Sequence, residues 1–88
     1  MQYTHEERSE QILDVLARVD WLPMREIANR VGLRKSPYLR DLVQELVIDG
    51  LVGCRQETMT NGLPINIYFM TDEGREYASF HFGELVTD

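Results

Sequence analysis

The sequence predicts a single α+β domain in which three helices are followed by a β-hairpin and a closing helix. Its 88 residues are enough for one compact core and too few for two. In the first half of the chain, apolar residues recur at helical spacing between residues that start and stop helices. After Gly50 the alternation changes to a period of two around an Asn-Gly pair, which is typical of two strands joined by a turn. Residues 1–88 are therefore expected to fold as one unit.

The first two helices are predicted from the residues at their ends. Thr4 and Glu7 match a capping box, in which each side chain bonds the backbone N–H of the other, so a first helix is expected over residues 4–19. A second, shorter helix is expected over residues 23–31. Gly32 would end it, because glycine readily adopts the left-handed conformation of a helix C-terminus.

Two further helices have equally clear N-terminal signals. Ser36 is a favourable N-cap and Pro37 a favourable first helical residue, which predicts a third helix over residues 37–49. Thr71 is expected to cap a fourth helix over residues 72–82, whose first turn is acidic and so complements the positive end of the helix dipole.

A β-hairpin is predicted between the third and fourth helices, over residues 51–70. Asn61-Gly62 favours a tight type I′ turn, and centring the hairpin on this pair places Cys54 opposite Phe69. In that register Cys54 faces the core as a small buried hydrophobe. The same register turns Ile65, Ile67 and Phe69 toward the core and Asn66 and Tyr68 outward.

The order of these elements, together with short local patterns, resembles a winged helix-turn-helix domain. Ala28 followed by Gly32 matches the small residue and turn glycine that let the two helices cross closely. "ELVIDGLV" looks like the end of a recognition helix that enters the first wing strand, and "YFMTDEGREY" is similar to the strand-to-helix junction of MarR-like and PadR-like regulators. The resemblance covers roughly residues 10–78.

The resemblance implies a function in binding double-stranded DNA, as a small transcriptional regulator. In such domains the third helix lies in the major groove and the turn before it lies against the phosphates. This sequence differs from the usual pattern by about one extra residue, which falls within "LRKSPY".

A basic stretch coincides with that turn. Residues 30–40 hold four of the nine cations and no acidic residue, although the formal net charge of the chain is −6. On the resemblance, phosphate contacts are expected from Arg34, Lys35, Ser36 and Arg40, assisted by the N–H groups at the start of the third helix. The alternative is that these cations only solvate a surface turn.

The exposed face of the third helix is chemically mixed. Gln44 is the leading candidate to read adenine, and Asp41 suits the amino group of cytosine. The carboxylates of Asp41 and Glu45 would nevertheless repel phosphates unless they point at base edges. A winged-helix module that binds protein instead of DNA, through Tyr38, Ile48 and this mixed face, is therefore the alternative function.

Two more residues have alternative roles. Tyr38 either contacts the sugar-phosphate backbone or packs beside the turn. Arg55, on the first wing strand, either contacts a phosphate or pairs across the hairpin with the ring of Tyr68. The predicted DNA-binding residues are thus Arg34, Lys35, Ser36, Tyr38, Arg40, Asp41, Gln44 and Arg55.

No catalytic, cofactor or metal site is expected. His5 and His81 lie at opposite ends of the chain, there is no glycine-rich phosphate loop, and Cys54 is the single cysteine. The polar, acidic N-terminus differs from a signal peptide, and no segment approaches the ~20 apolar residues of a membrane span. These features favour a cytoplasmic protein without a membrane partner.

The C-terminal run "EYASFHFGELV" has more aromatic surface than a small core needs. Its rings are Tyr77, Phe80 and Phe82. They either complete the core against the first helix or pair two protomers as a homodimer.

Overall fold

The computed structural model describes residues 4–34 and 36–81, in which four helices pack against one face of a three-stranded antiparallel sheet. The elements are α1 (His5–Ala17), β1 (Leu22–Pro23), α2 (Met24–Val31), α3 (Pro37–Ile48), β2 (Val52–Thr58), β3 (Pro64–Met70) and α4 (Asp72–His81). The strand order is β1-β3-β2. This arrangement confirms the predicted α+β winged helix-turn-helix fold. We call α3 the recognition helix, and β2, β3 and their connecting loop the wing.

The first helix begins as predicted and ends early. Thr4 Oγ1 accepts a hydrogen bond from Glu7 N–H at 3.1 Å, and Glu7 Oε1 accepts one from Thr4 N–H at 2.8 Å, which completes the capping box. The helix ends at Ala17, before the expected Val19. The chain then turns toward the sheet, which it joins at Leu22.

The caps of the next two helices lie where the sequence placed them. Gly32 ends α2 with a φ of 73°, a conformation that favours glycine. Ser36 Oγ accepts a hydrogen bond from Leu39 N–H at 3.3 Å at the start of α3. The recognition helix ends at Ile48, one residue before the predicted limit. In the fourth helix, Phe82 lies outside the described residues.

The third strand, β1, was not predicted. Leu22 pairs with Tyr68 and Pro23 pairs with Ile67. Pro23 was expected as the first helical residue, but its backbone is extended, with φ −75° and ψ 164°. Proline suits a short edge strand because it has no N–H to donate to a ladder. Two residues are also too few to produce a detectable alternation.

The turn of the wing differs from the predicted type I′ turn. The loop is closed by a hydrogen bond from Met59 N–H to the Leu63 oxygen at 2.8 Å, and by one from Gly62 N–H to the Met59 oxygen at 2.9 Å. Gly62 has a φ of 87°, whereas Asn61 does not have a positive φ. A type I′ turn needs positive φ at both central residues. The loop is instead a three-residue connection with its left-handed position at glycine.

The longer loop shifts β3 by one residue relative to β2, and a shift of one residue exchanges the two faces of a strand. Cys54 pairs with Tyr68 and not with Phe69. Tyr68 and Met70 therefore pack toward the helices with Val52. The predicted outward orientation of Tyr68 is therefore wrong. Ile65, Ile67 and Phe69 lie on the opposite face of the sheet from the one predicted. Ile67 is nonetheless buried as expected, at 1% exposure, and Ile65 and Phe69 are half-buried.

Cys54 is exposed, so its predicted burial is also wrong. It lies on the helix-facing side of β2 as expected, but the strand leaves the helices after Val52, which is 2% exposed. The main core is formed by the first three helices, the adjoining strands and one residue of α4. Its members are Ile12, Leu13, Leu16, Leu22, Ile27, Ala28, Val31, Leu39, Leu42, Val43, Leu46, Val52, Met70 and Ala78.

The start of α4 is fixed to the end of the recognition helix. The Thr71 hydroxyl donates to the Gly50 carbonyl oxygen at 2.6 Å and accepts from Gly74 N–H at 2.9 Å. Thr71 N–H donates to the Leu51 oxygen at 3.1 Å. A Cβ atom on Gly74 would collide with that Leu51 oxygen. The close approach therefore requires glycine at position 74.

Candidate nucleic-acid interface

An open groove of about 580 Å³ separates the recognition helix from the wing. We call it the helix–wing groove. It is lined by Pro23, Met24, Arg25, Arg40, Gln44, Met59, Pro64, Ile65, Asn66 and Tyr68. Within residues 4–34 and 36–81, the lining includes two arginines and no carboxylate, in a chain with 15 acidic and 9 basic residues. The groove therefore concentrates positive charge on an otherwise acidic protein.

The residues on the exposed face of the recognition helix occupy different angular positions around its axis. At about 100° per residue, Arg40 and Gln44 lie toward the wing and Asp41 and Ile48 near the middle. Glu45 lies at the opposite edge, toward α1. The predicted base readers Gln44 and Asp41 thus share one surface, and Gln44 also lines the groove.

One carboxylate of the recognition helix is held away from the groove. Glu45 Oε1 lies 2.8 Å from His5 Nε2 on α1. The ring of His5 makes an edge contact with the ring of Tyr38, at a centroid distance of 6.5 Å. Tyr38 is 45% exposed, so its packing role and a backbone contact are compatible.

The basic stretch divides between two surfaces. Arg34 is exposed at the turn before the recognition helix, and Ser36 caps that helix. Lys35 lies outside the described residues. Arg30 instead lines a hollow with Gln11 and Asp14 of α1. The structure therefore places Arg34, Ser36 and Arg40 along one end of the recognition helix and separates Arg30 from them.

Arg55 is not brought together with the other predicted residues. It pairs with Ile67, not with Tyr68, and so lies on the outer face of the wing. Its Nε atom donates to Glu57 Oε2 at 2.6 Å, and its guanidinium lies 5.7 Å from the centre of the Phe69 ring. These contacts match the cross-strand alternative predicted for Arg55, with a different aromatic partner.

Arg25 and Asn66 line the groove but were not predicted as site residues. Asn66 alternates with buried positions on β3, and Arg25 follows the proline at the start of α2, so neither has a local signal for binding. Their proximity depends on β1, which brings the start of α2 beside β3. Sequence periodicity does not detect this short strand.

Tyr68 links the groove to the wing. Burial raises the pKa of Tyr68 above its ordinary value of 10.0, the neighbouring Cys54 thiol raises it further through charge and a hydrogen bond, and Arg40 opposes the shift. The phenol is therefore neutral near neutral pH. It offers the groove a hydroxyl group without adding negative charge.

The described residues contain neither a metal-binding cluster nor a membrane-spanning helix. No group of three or more His, Cys, Asp or Glu side chains in residues 4–34 and 36–81 is arranged to hold a metal ion. Within the same residues, no helix combines the length and the apolar character that crossing a membrane requires.

Solved structures of transcriptional regulators have the same fold. The sequence matches no protein-family model and no curated protein. The putative transcriptional regulator TA0346 from Thermoplasma acidophilum superposes with a TM-score of 0.75 at 19% identity, over 92% of this chain and 82% of that one. A PadR-like transcription factor from Bacteroides fragilis gives 0.67 at 19% identity, over 90% and 84%.

The MarR-family regulator SPO1453 from Silicibacter pomeroyi also superposes, with a TM-score of 0.67 at 18% identity over 88% of this chain. This chain spans only 52% of SPO1453, and 58% of the Lactococcus lactis protein ZitR. At these identities the likeness establishes the fold. The chain is a winged-helix domain similar to those of MarR-family and PadR-like regulators, as its sequence motifs predicted.

Proposed function

We propose that this protein is a small transcriptional regulator that binds double-stranded DNA sequence-specifically, with the recognition helix in the major groove. The observation that carries the proposal is the helix–wing groove, whose lining, among the residues that the structure describes, includes Arg25 and Arg40 and no carboxylate. One of the two DNA strands that border the major groove would lie in the helix–wing groove. Charge segregation of this kind is what an acidic protein needs in order to bind a polyanion.

The proposal assigns distinct roles to the residues around the groove. Arg25 and Arg40 bind phosphates from its two sides, and Arg34 and Lys35 extend the contacts along the turn. Backbone N–H groups beyond Ser36 add to this attraction at the start of the recognition helix. Gln44 and Asp41 point toward base edges, where a carboxylate can accept from cytosine. Arg55 receives no contact, because Glu57 holds its guanidinium on the outer face.

The same proposal places the protein in the cytoplasm and gives it no catalytic step. Its likeness in fold to transcriptional regulators supports both statements.

Fluorescence anisotropy with a random-sequence duplex, measured across a salt series, tests the proposal. The test variant is Arg25→Ala/Arg40→Ala. The charge-matched control is Arg18→Ala/Arg30→Ala, because Arg18 pairs with Asp14 at 3.3 Å and Arg30 lies beside the same helix.

The wild type and the control should bind with the same steep salt dependence. In the test variant, the slope of log affinity against log salt should fall by about 2, since each phosphate contact contributes about 0.9. No binding at low salt, or equal slopes for the two variants, would contradict the proposal.

We further propose that two protomers pair through the C-terminal segment. Tyr77 packs partly against the core, as the alternative reading of this segment predicted, whereas Phe80 is 87% exposed at the end of α4. Phe82 lies outside the described residues. Pairing would present two recognition helices to half-sites about one helical turn apart. Analytical ultracentrifugation should show a dimer in the wild type and weaker association in Phe80→Glu; a monomeric wild type would contradict the pairing.

Protein binding by the recognition helix is a second candidate function. Ile48 is 73% exposed at the end of this helix, one turn after the exposed Glu45 and two turns after the exposed Asp41. An apolar residue flanked by a carboxylate suits a protein partner as well as a thymine methyl group. The anisotropy experiment separates these functions, since a protein-binding module would leave duplex DNA unbound.

A further inference from the structure

The tip of the wing, residues 59–63, carries no charge and exposes two apolar side chains. Met59 is 39% exposed and Leu63 is 59% exposed, and the next residue, Pro64, is also exposed. No Asp, Glu, Lys or Arg occurs between Thr58 and Pro64. Exposed apolar side chains gain nothing from phosphate groups, so this tip is unsuited to a simple backbone contact.

The tip is held in a defined conformation. Backbone hydrogen bonds join Met59 to Leu63 and Gly62 to Met59, and Asn61 Oδ1 accepts from Leu63 N–H at 3.0 Å. The β2–β3 ladder continues without a break up to the pair Thr58–Pro64. Met59 and Leu63 are thus neighbours across the end of a hydrogen-bonded hairpin.

The tip lies beside the helix–wing groove. Met59 and Pro64 line that groove opposite Arg40 and Gln44. Suppose that the recognition helix occupies the major groove and that one DNA strand lies in the helix–wing groove. The sugar-phosphate backbone of that strand then separates the major groove from the minor groove. The wing stands on the far side of that strand. Its tip therefore faces the minor groove.

We propose that Met59 and Leu63 act as an apolar wedge that enters the minor groove, partly unstacks a base step and bends the DNA. This inference rests on the proposed function. Apolar side chains, including Met, Leu and Pro, are the groups that wedge between base steps from the minor groove. The wedge favours sites with a pyrimidine–purine step at this position, because those steps deform most readily. Sequence preference then arises at base pairs that the recognition helix does not contact.

Two optical readouts on one DNA duplex test the wedge. Dyes at the duplex ends report bending by energy transfer, and 2-aminopurine at a central TA step reports unstacking by its increased emission. The test variant is Met59→Gln/Leu63→Gln, which keeps side-chain length and removes apolar character. Thr60→Gln is the control, because it changes the same exposed loop without removing an apolar group.

Wild type and control should bring the duplex ends closer and raise 2-aminopurine emission. The double variant should lose most of both changes and keep the salt slope of wild type, because the phosphate contacts of Arg25 and Arg40 are intact. Binding without bending, or equal bending by the double variant, overturns the wedge and leaves the proposed function standing. Absence of any salt-dependent binding overturns both.

Discussion

His5 Nε2 lies 2.8 Å from Glu45 Oε1, a contact that joins the first helix to the recognition helix across 40 positions of sequence. Both side chains are about half exposed, at 53% and 57%. Such a pair contributes only ~0–1 kcal/mol to stability, because water screens it. Its position matters more, since it holds a carboxylate at the edge of the recognition helix that faces away from the helix–wing groove.

Replacing His5 with Ala should weaken DNA binding at low salt by about two- to fivefold, because a released carboxylate can approach the phosphates at a cost of up to ~1 kcal/mol. Glu45→Gln should strengthen binding by a similar factor. In the Glu45→Gln background, His5→Ala should have no further effect, and anisotropy of the four proteins measures this coupling. Equal effects of His5→Ala in both backgrounds would show that His5 does not act through Glu45.

Ser36 combines two roles that substitution can separate. Its hydroxyl caps the recognition helix, so Ser36→Ala should lower the free energy of unfolding by about 1 kcal/mol. Ser36→Asp keeps the cap and adds a negative charge where a phosphate is proposed. For Ser36→Asp, urea denaturation should therefore give a free energy of unfolding close to that of wild type, whereas anisotropy should show clearly weaker DNA binding. Unchanged DNA affinity in Ser36→Asp would remove this residue from the interface.

Gly74→Ala should destabilise the protein. Alanine within a helix is ordinarily better than glycine by about 1 kcal/mol, so the sign of the effect is diagnostic. Here the added methyl group would meet the carbonyl oxygen of Leu51, and overpacking of this kind costs about 1–3 kcal/mol. Urea denaturation measures the difference, with the exposed Ser79→Ala on the same helix as a control. A stabilised Gly74→Ala protein would contradict the close approach of α4 to Leu51.

Tyr68 should make stability fall at high pH. Burial, the largest cause, raises its pKa above the ordinary 10.0, so the folded protein holds the phenolic proton more tightly than the unfolded chain. The resulting stability is fully present below the unfolded-state pKa and is lost as pH rises through the folded-state pKa. Denaturation of wild type and Tyr68→Phe at a series of alkaline pH values isolates this effect. Identical pH profiles for the two proteins would contradict it.

The helices could be predicted because their signals are local. Thr4, Gly32 and Ser36 act within one turn of their own positions, and all three lie where the sequence placed them. The wing register could not be predicted, because Asn61-Gly62 is compatible with two loop lengths. The choice between a two-residue and a three-residue loop exchanges the faces of β3, so Ile67 is buried on the face opposite the helices and not on the helix-facing side.

The candidate site was predicted in part for the same reason. Arg34, Arg40 and Gln44 follow from the position of one helix in the fold. Arg25 and Asn66 become neighbours only when β1 pairs with β3, and a strand of two residues leaves no periodic signal. Exposure of Cys54 likewise depends on how far the wing extends beyond the helices, a property of tertiary structure alone.

An NMR titration of the labelled protein with a short DNA duplex at low salt tests the central claim most directly. The claim predicts that the backbone amide signals of Arg25, Arg40 and Asn66 shift, as do the side-chain signals of the two arginines. The amide signals of the turn before the recognition helix should shift with them. Signals of Asp14 and Arg18 on the far side of α1 should stay in place. Shifts confined to the outer face of the wing or to α4, or no shifts at all, would contradict DNA binding in the helix–wing groove.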